Sequence, residues 1–383
     1  MRIGIDARYL NNEYSGIAKY SEGLLRALSA LDQENEYEVY VHSSYRRSLA
    51  LGENFRVHQF PARPVSLATM WRFGEFVAEH ELDLLHSLFP LAPLTFDGPL
   101  LVTVHDLQAL IVPGFTARRN WFVRKAYDLF YGWAYPTTIK RAKYVLADSR
   151  ATRDDVARYF PTKKDSAIVV LPGLDDEFRE PIDPAVAQET SQRHSLPRDF
   201  LLYVGSTRPN KNLPNMIRAF AQLLERAHAD DLREIQDLCL VLVVNPDRFF
   251  SESRQLIRRL GIQEQVKVFN NISEVEKKAF CHLARALYFV TRNEGFGFPL
   301  LEAQACGTPV LAARHSSLPE IAGDAALLVD PDSVEAITDG LLEILLNESL
   351  RRQLAEDGPK NALRYTWQHT AELTLEVYNH LYK

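Results

Sequence analysis

Two carboxylates stand eight positions apart in Asn293-Glu294-Gly295-Phe296-Gly297-Phe298-Pro299-Leu300-Leu301-Glu302-Ala303, with a Gly-x-Gly turn between them and a proline opening an apolar run. Gly295 and Gly297 permit backbone conformations and a close ligand approach that side-chained residues resist. Pro299 fits the first turn of a helix, where its missing N–H costs nothing. The pattern predicts a loop feeding a helix N-terminus, whose unpaired N–H groups and dipole favour an anion. Glu294 then sits in the loop and Glu302 about one turn into the helix. Carboxylates accept hydrogen bonds from hydroxyls, so two acids flanking an anion site suit a ligand with both phosphates and hydroxyls, as a nucleotide sugar has. The same residues would also serve as a glycine-rich turn before a buried helix, with both acids facing water, and the motif alone does not separate the two readings.

A second constellation lies upstream, in Phe200-Leu-Leu-Tyr-Val-Gly205-Ser206-Thr207-Arg208-Pro209-Asn210-Lys211-Asn212. An apolar strand ends in Gly205-Ser206, and two cations follow before a helix begins near 212–214. Arg208 offers a planar fork for phosphate oxygens, and Lys211 a movable point charge. In isolation this is a solvated loop with surface cations; beside the Glu294 loop it reads as the phosphate half of one site. Neither Gly-x-x-x-x-Gly-Lys nor Gly-x-Gly-x-x-Gly occurs here, which excludes a Walker loop and a dinucleotide fingerprint.

Near the N-terminus a strand over 2–6 leads to Ser15-Gly16-Ile17-Ala18-Lys19-Tyr20 and an amphipathic helix. Gly16 at that helix start would let a phosphate or sugar ring approach the backbone; it would also serve simply as a helix start. Leu101-Val-Thr-Val-His105-Asp106-Leu107 places a histidine at the end of an apolar strand. A lone histidine is more often structural, but the strand-end position favours a site role for His105. His86 carries a weaker case, and Asp106 either orients His105 or caps the following turn.

These residues need elements to hold them. Short apolar runs at 2–6, 37–42, 84–86, 100–105 and 144–147 alternate with helical patterns near 16–30, 67–81, 120–142 and 150–160. A second series of strands runs through 200–205, 238–244, 266–269, 287–291, 309–312 and 327–329, with helices near 212–228, 251–260, 274–282, 299–306, 317–322, 333–347 and 349–364. Such alternation predicts an α/β protein of two parallel, doubly wound sheets. The boundary falls in the loop 171–175, giving domains over 1–173 and 178–364, with a last helix in 365–383. Ligands of open α/β sheets bind at the carboxyl ends of strands, where Gly205 and His105 lie.

Length and composition agree. A chain of 383 residues exceeds one ordinary core. Its 46% hydrophobic and 25% charged content is that of a globular protein. Residues 1–173 hold 21 basic and 19 acidic residues, a net +2, whereas the remainder holds 23 and 31, a net −8. The two halves are thus electrostatically different bodies, and the overall −6 argues against bulk nucleic-acid binding. Cys239, Cys281 and Cys306 are widely spaced in apolar surroundings, which predicts buried thiols rather than a metal cluster or disulfides, in a reducing cytoplasm. No signal-peptide pattern opens the sequence, and no apolar run approaches the roughly 18 residues of a membrane span. Residues 118–143 hold seven cations and one acid with interleaved aromatics. That composition suits an anionic lipid surface or an acidic lipid-linked acceptor, although aromatics in the core with cations in water is the preferred reading.

With these residues assembled, the chain resembles the retaining GT-B glycosyltransferases of family 4, which build bacterial polysaccharides, lipopolysaccharide and glycolipids. The likeness spans essentially the whole length and is strongest over 200–330. Glu294 through Ala303 follows that family's Glu-x7-Glu motif, succeeded by Ala305-Cys306-Gly307-Thr308-Pro309-Val310. The resemblance implies two Rossmann-like domains facing across a cleft, the last helix crossing back onto the first domain. It implies that Glu302 binds the donor ribose and Glu294 the hydroxyls of the transferred sugar. The backbone N–H groups of Phe296, Gly297 and Phe298 would meet sugar and phosphate. Arg208 and Lys211 would hold the phosphates beside Gly205 and Ser206, Gly16 would belong to a diphosphate loop, and His105 would contact the sugar near its anomeric carbon. No metal and no cofactor is implied, and the anomeric configuration is retained. The favoured donor is GDP-mannose, with UDP- and dTDP-sugars close behind; the acceptor is a glycan or lipid-linked glycan, at the inner face of the membrane. A GT-B epimerase and a non-catalytic sugar-nucleotide-binding module are the rival readings. Two departures are Ser15-Gly16 where many relatives have Gly-Gly, and Thr291-Arg292-Asn293 where many have Pro-Ser. Arg292 would either alter the donor pocket or form a salt bridge.

Overall fold

The computed structural model describes residues 1–11, 15–112, 115 and 120–382. Two compact units divide the chain: Met1–Thr116 with Trp121–Asp175 and Tyr365–Lys383, and Asp176–Arg364.

The first unit is built on a seven-stranded, wholly parallel sheet of β1 (Arg2–Asp6), β2 (Glu36–His42), β3 (Phe55–Phe60), β4 (Leu84–Ser87), β5 (Leu100–Val104), β6 (Tyr144–Ala147) and β7 (Ala167–Val169), in the order β3-β2-β1-β4-β5-β6-β7. Its helices are α1 (Gly16–Leu31), α2 (Leu67–Met70), α3 (Arg72–Ala78), α4 (Gln108–Ile111), α5 (Trp121–Arg141) and α6 (Arg150–Tyr159). Central strands such as β5 are buried at every position and apolar except at Thr103, as helices on both faces of a parallel sheet require. In α1 the buried positions Ala18, Ser21, Leu25 and Leu28 recur at helical spacing, and the Ser15 hydroxyl caps the first turn. The C-terminal helix, Trp367–Tyr382, belongs to this unit and buries Ala371, Val377, Tyr378 and Leu381 in the core cluster that holds Leu24, Leu25 and Leu28.

Among the described residues, two strands and two helices escape the sequence pattern. Both strands are sheet edges: β3 is buried only at its terminal phenylalanines, and β7 has three residues. A half-exposed edge strand such as β3 lacks the apolar run that marks a central one. One helix expected over 67–81 breaks at Trp71, whose φ −126° and ψ −68° separate α2 from α3. The helices α4 and α7 (Pro184–His194) were also not in the pattern, although Asp183 caps α7 and Pro184 opens it.

The second unit follows with α7, β8 (Phe200–Val204), α8 (Leu213–Ala229), β9 (Cys239–Val243), α9 (Phe250–Arg259), β10 (Val266–Phe269), α10 (Glu274–Leu283), β11 (Ala286–Phe289), α11 (Phe298–Ala305), β12 (Val310–Ala313), α12 (Leu318–Ala322), β13 (Leu327–Val329), α13 (Val334–Leu346) and α14 (Glu348–Ala362). Its six parallel strands run β10-β9-β8-β11-β12-β13. The order reverses between β8 and β11, and that reversal is where a doubly wound sheet opens a crevice at its carboxyl edge.

Candidate active site

The loops leaving β8 and β11 flank this switch point. Beyond β8, Gly205 N–H stays paired with Val243 O at 3.1 Å, and the Tyr203 hydroxyl donates to Ser206 O at 2.7 Å. A Cβ at Gly205 would lie 2.8 Å from the Tyr203 hydroxyl, so a side chain there would disturb this bond. The chain then makes a short turn over Pro209–Lys211 that begins at Arg208. Asn212 ends it in the left-handed conformation, its buried amide donating to Val290 O and Pro331 O.

Across the switch point, Gly297 caps α11 with φ +121°, and a Cβ there would sit 3.0 Å from Leu318 Cδ2. Gly295 has no such left-handed φ, so only one of the two glycines is needed for backbone conformation. Pro299 occupies the first turn of α11. Phe296 and Phe298 are buried edge to face, 5.1 Å apart. The loop is pinned from β12's side: the Ser316 hydroxyl donates to Glu294 O, and Ser317 donates to both Glu294 O and Phe296 O. Arg292 N–H donates to Asn210 O and the Asn210 amide to Asn293 O, which laces the two loops together.

At the centre, Lys211 Nζ donates to both carboxylate oxygens of Glu294, at 2.7 and 2.6 Å. Cation and acid, read from sequence as separate phosphate and sugar ligands, are thus one ion pair, with side chains 17% and 11% exposed. Glu302 lies within α11, almost fully buried, 3.1 Å from Lys277 Nζ. Lys277 also binds Glu274 at 2.6 Å and stands 5.1 Å from the centre of the Phe178 ring. It was missed because a single lysine in an ordinary amphipathic helix carries no motif. Arg292 forms the salt bridge alternative, 2.7 Å from Asp332.

In the first unit His105 follows β5. Its Nδ1 lies 2.6 Å from Asp148 Oδ2 and its Nε2 2.9 Å from Leu88 O, so both ring nitrogens face acceptors. Burial opposes a charged ring. The Asp148 charge and hydrogen bond, with the Leu88 carbonyl and Asp106, outweigh it and raise the pKa above the ordinary histidine value. Asp148 therefore orients His105. Asp106 instead accepts from Gln108 N–H at 3.0 Å and caps the next turn. His86 is structural: fully buried, it lies 2.7 Å from the Tyr378 hydroxyl and 2.9 Å from Thr103 Oγ1. Burial, then the His105 charge, pushes its pKa down to about 3. Asp148 could have been found in sequence, since it ends a strand at 144–147 directly before the helix cap Ser149. Gly16 is the exposed first residue of α1; the preceding residues 12–14 lie outside the described residues.

Two sequence expectations need correction. In α5 the preferred inward placement of aromatics holds for part of the helix only: Tyr135 is buried and Phe130 and Tyr131 pack against the core, whereas Phe122 is 76% exposed and Trp121 57%. Trp133 stacks instead on exposed Trp71 at 5.8 Å. Arg118 and Arg119 lie outside the described residues. Of the three thiols only Cys281 is buried; Cys239 and Cys306 are partly exposed.

Residues 14–178 match the family described as Glycosyltransferase Family 4, and residues 187–361 that described as Glycosyl transferases group 1. The chain belongs to these glycosyltransferases. This glycosyltransferase is 23% identical over 398 residues to O-antigen chain mannosyltransferase B of Escherichia coli, with 99% of each chain covered. Its fold is GT-B, shared with solved structures. Sucrose-phosphate synthase of Thermosynechococcus elongatus superposes with a TM-score of 0.76 at 19% identity, covering 100% of this chain and 99% of that one. HepE of Anabaena, solved with UDP and glucose, superposes at 0.70 with 15% identity over 99% and 100% of the two chains. Among its described residues, no helix of the glycosyltransferase is long and apolar enough to cross a membrane.

Proposed function

We propose that the protein transfers mannose from GDP-mannose, with retention of configuration and without a metal, to a growing lipid-linked glycan. The observation that carries this reading is the Lys211–Glu294 pair beside Arg208, at adjoining strand ends of the switch point. When a nucleotide sugar enters, Lys211 shifts from Glu294 toward the diphosphate. The released Glu294 carboxylate then accepts the sugar's hydroxyls. Glu302 accepts the ribose hydroxyls while Lys277 holds its carboxylate. Arg208, Lys211 and the N–H groups of Phe296, Gly297 and Phe298 stabilise charge on the leaving diphosphate, with Gly205 and Ser206 giving room for it and Gly16 a second backbone approach. His105, oriented by Asp148, contacts the sugar near its anomeric carbon. The exposed aromatics of α5, with Arg124 and Lys125 on the same helix, serve as contact with an anionic membrane at its cytoplasmic face.

The mannosyl donor is supported by the O-antigen mannosyltransferase relative. A UDP-sugar is the second reading, favoured by the UDP and glucose of HepE. Incubation with GDP-mannose and a lipid-linked acceptor after chelator treatment, with the product's anomeric configuration read by NMR, tests the proposal. Retained α-linkage in chelator supports it; inversion, or a requirement for added divalent metal, refutes it.

A further inference from the structure

We infer that Glu38, His58 and His80 form a binding site for a divalent transition-metal ion of the zinc class. The register pairs Glu38 with Arg56 and Tyr40 with His58 across β2 and β3. With a side-chain period of two, these four residues share one face of the sheet. His80 follows α3 and reaches the same face, its Nδ1 3.2 Å from the Tyr40 hydroxyl. One ligand atom each from Glu38, His58 and His80 lies within 4.8 Å of the others, a grouping of metal-ligating side chains found nowhere else among the described residues.

The chemistry favours a metal over a simple ion pair. Glu38 is 3% exposed, and its buried carboxylate needs a cation. His58 Nε2 stands 2.5 Å from Glu38 Oε2, but the His58 and His80 ring centres are only 4.2 Å apart. Two neutral imidazoles and one carboxylate are the ligand set of an open zinc site, and imidazole selects zinc, copper, nickel or cobalt over magnesium or calcium. A tetrahedral shell needs ligand atoms roughly 3.3 Å apart. The adjustment to that spacing falls to the half-buried histidine side chains rather than to the strand backbone. The Tyr40 hydroxyl is placed to fix the His80 ring, as outer-shell partners of metal-bound histidines do. Arg56, 3.2 Å from Glu38, competes with the ion and has Glu36 at 3.8 Å as an alternative partner. Such an ion would clamp the edge strand β3 to the end of α3. It takes no part in the proposed donor chemistry, whose residues all lie elsewhere.

The untagged, chelator-treated full chain is titrated with Zn²⁺ by calorimetry and with Co²⁺ by visible absorption. The expected result is one equivalent bound, with tetrahedral Co²⁺ bands and a higher melting temperature in Zn²⁺. His58→Ala and His80→Ala should each weaken binding by about tenfold or more, with the metal-free circular dichroism spectrum unchanged. Arg56→Ala should tighten binding several-fold, by removing the competing charge. Absence of binding to the wild-type chain overturns the inference, as does binding that survives in either histidine variant.

Discussion

Replacing Glu294 by glutamine keeps the side chain's shape and removes its charge. Lys211 and Glu294 are only 17% and 11% exposed, so the pair is neither freely screened nor fully buried. Two unit charges 4 Å apart at an effective dielectric constant of 20 attract by about 4 kcal/mol. Desolvation of both groups offsets much of this, leaving a net contribution on the order of 1–3 kcal/mol. In the free enzyme Lys211 shares its charge with Glu294. Glu294→Gln therefore leaves that charge to a bound diphosphate, and GDP affinity should rise by about 1 kcal/mol, or roughly fivefold. Sugar transfer should nevertheless fall about 10²–10³-fold, because the hydroxyl acceptor near the reacting carbon is weakened. Lys211→Met should act oppositely on binding, weakening GDP by about 10–100-fold. Calorimetry with GDP and single-turnover transfer from GDP-mannose separate the two effects. If both substitutions weakened GDP equally, the pair would be a loop clamp and the reasoning would be wrong.

Three further outcomes follow from the geometry. Asp148→Asn removes the group that raises the His105 pKa; because that pKa is raised on folding, the wild-type stabilisation is complete below about pH 6.5 and lost as pH rises through the folded value. Melting temperature measured from pH 6 to 9 should fall with pH in the wild type and lie flatter in Asp148→Asn, and parallel curves would rule this out. Gly297→Ala forces a side chain into φ +121° against Leu318, which should cost about 1–3 kcal/mol and lower donor affinity; an unchanged denaturation midpoint contradicts it. Trp121→Ser with Phe122→Ser should reduce sedimentation with anionic vesicles without altering turnover of a soluble acceptor, whereas undiminished sedimentation would show that this face does not meet lipid.

The central strands, the strand-end loops and the helix opened by Pro299 were legible because apolar runs and proline placement are local signals. Edge strand β3 was not, since partial exposure removes the run that marks a strand, and β7 is a three-residue strand running straight into the boundary loop. The pairing of Lys211 with Glu294 joins residues 83 positions apart, and no local pattern says that two chemical groups will neutralise one another. Lys277 and the serines 316 and 317 act through tertiary contacts with the Glu294 loop and with Glu302, which spacing does not encode. The aromatics of α5 were misplaced for a different reason. Aromatics interleaved with cations do not say which face of the helix packs inward, and here Trp121, Phe122 and Trp133 are left exposed.

Calorimetric titration with GDP, UDP and dTDP tests the donor site most directly. The account predicts that GDP binds at least about tenfold more tightly than the other two, a difference of roughly 1.4 kcal/mol, and that Lys211→Met abolishes this binding. No binding of any of the three nucleotides to the wild-type chain would contradict it.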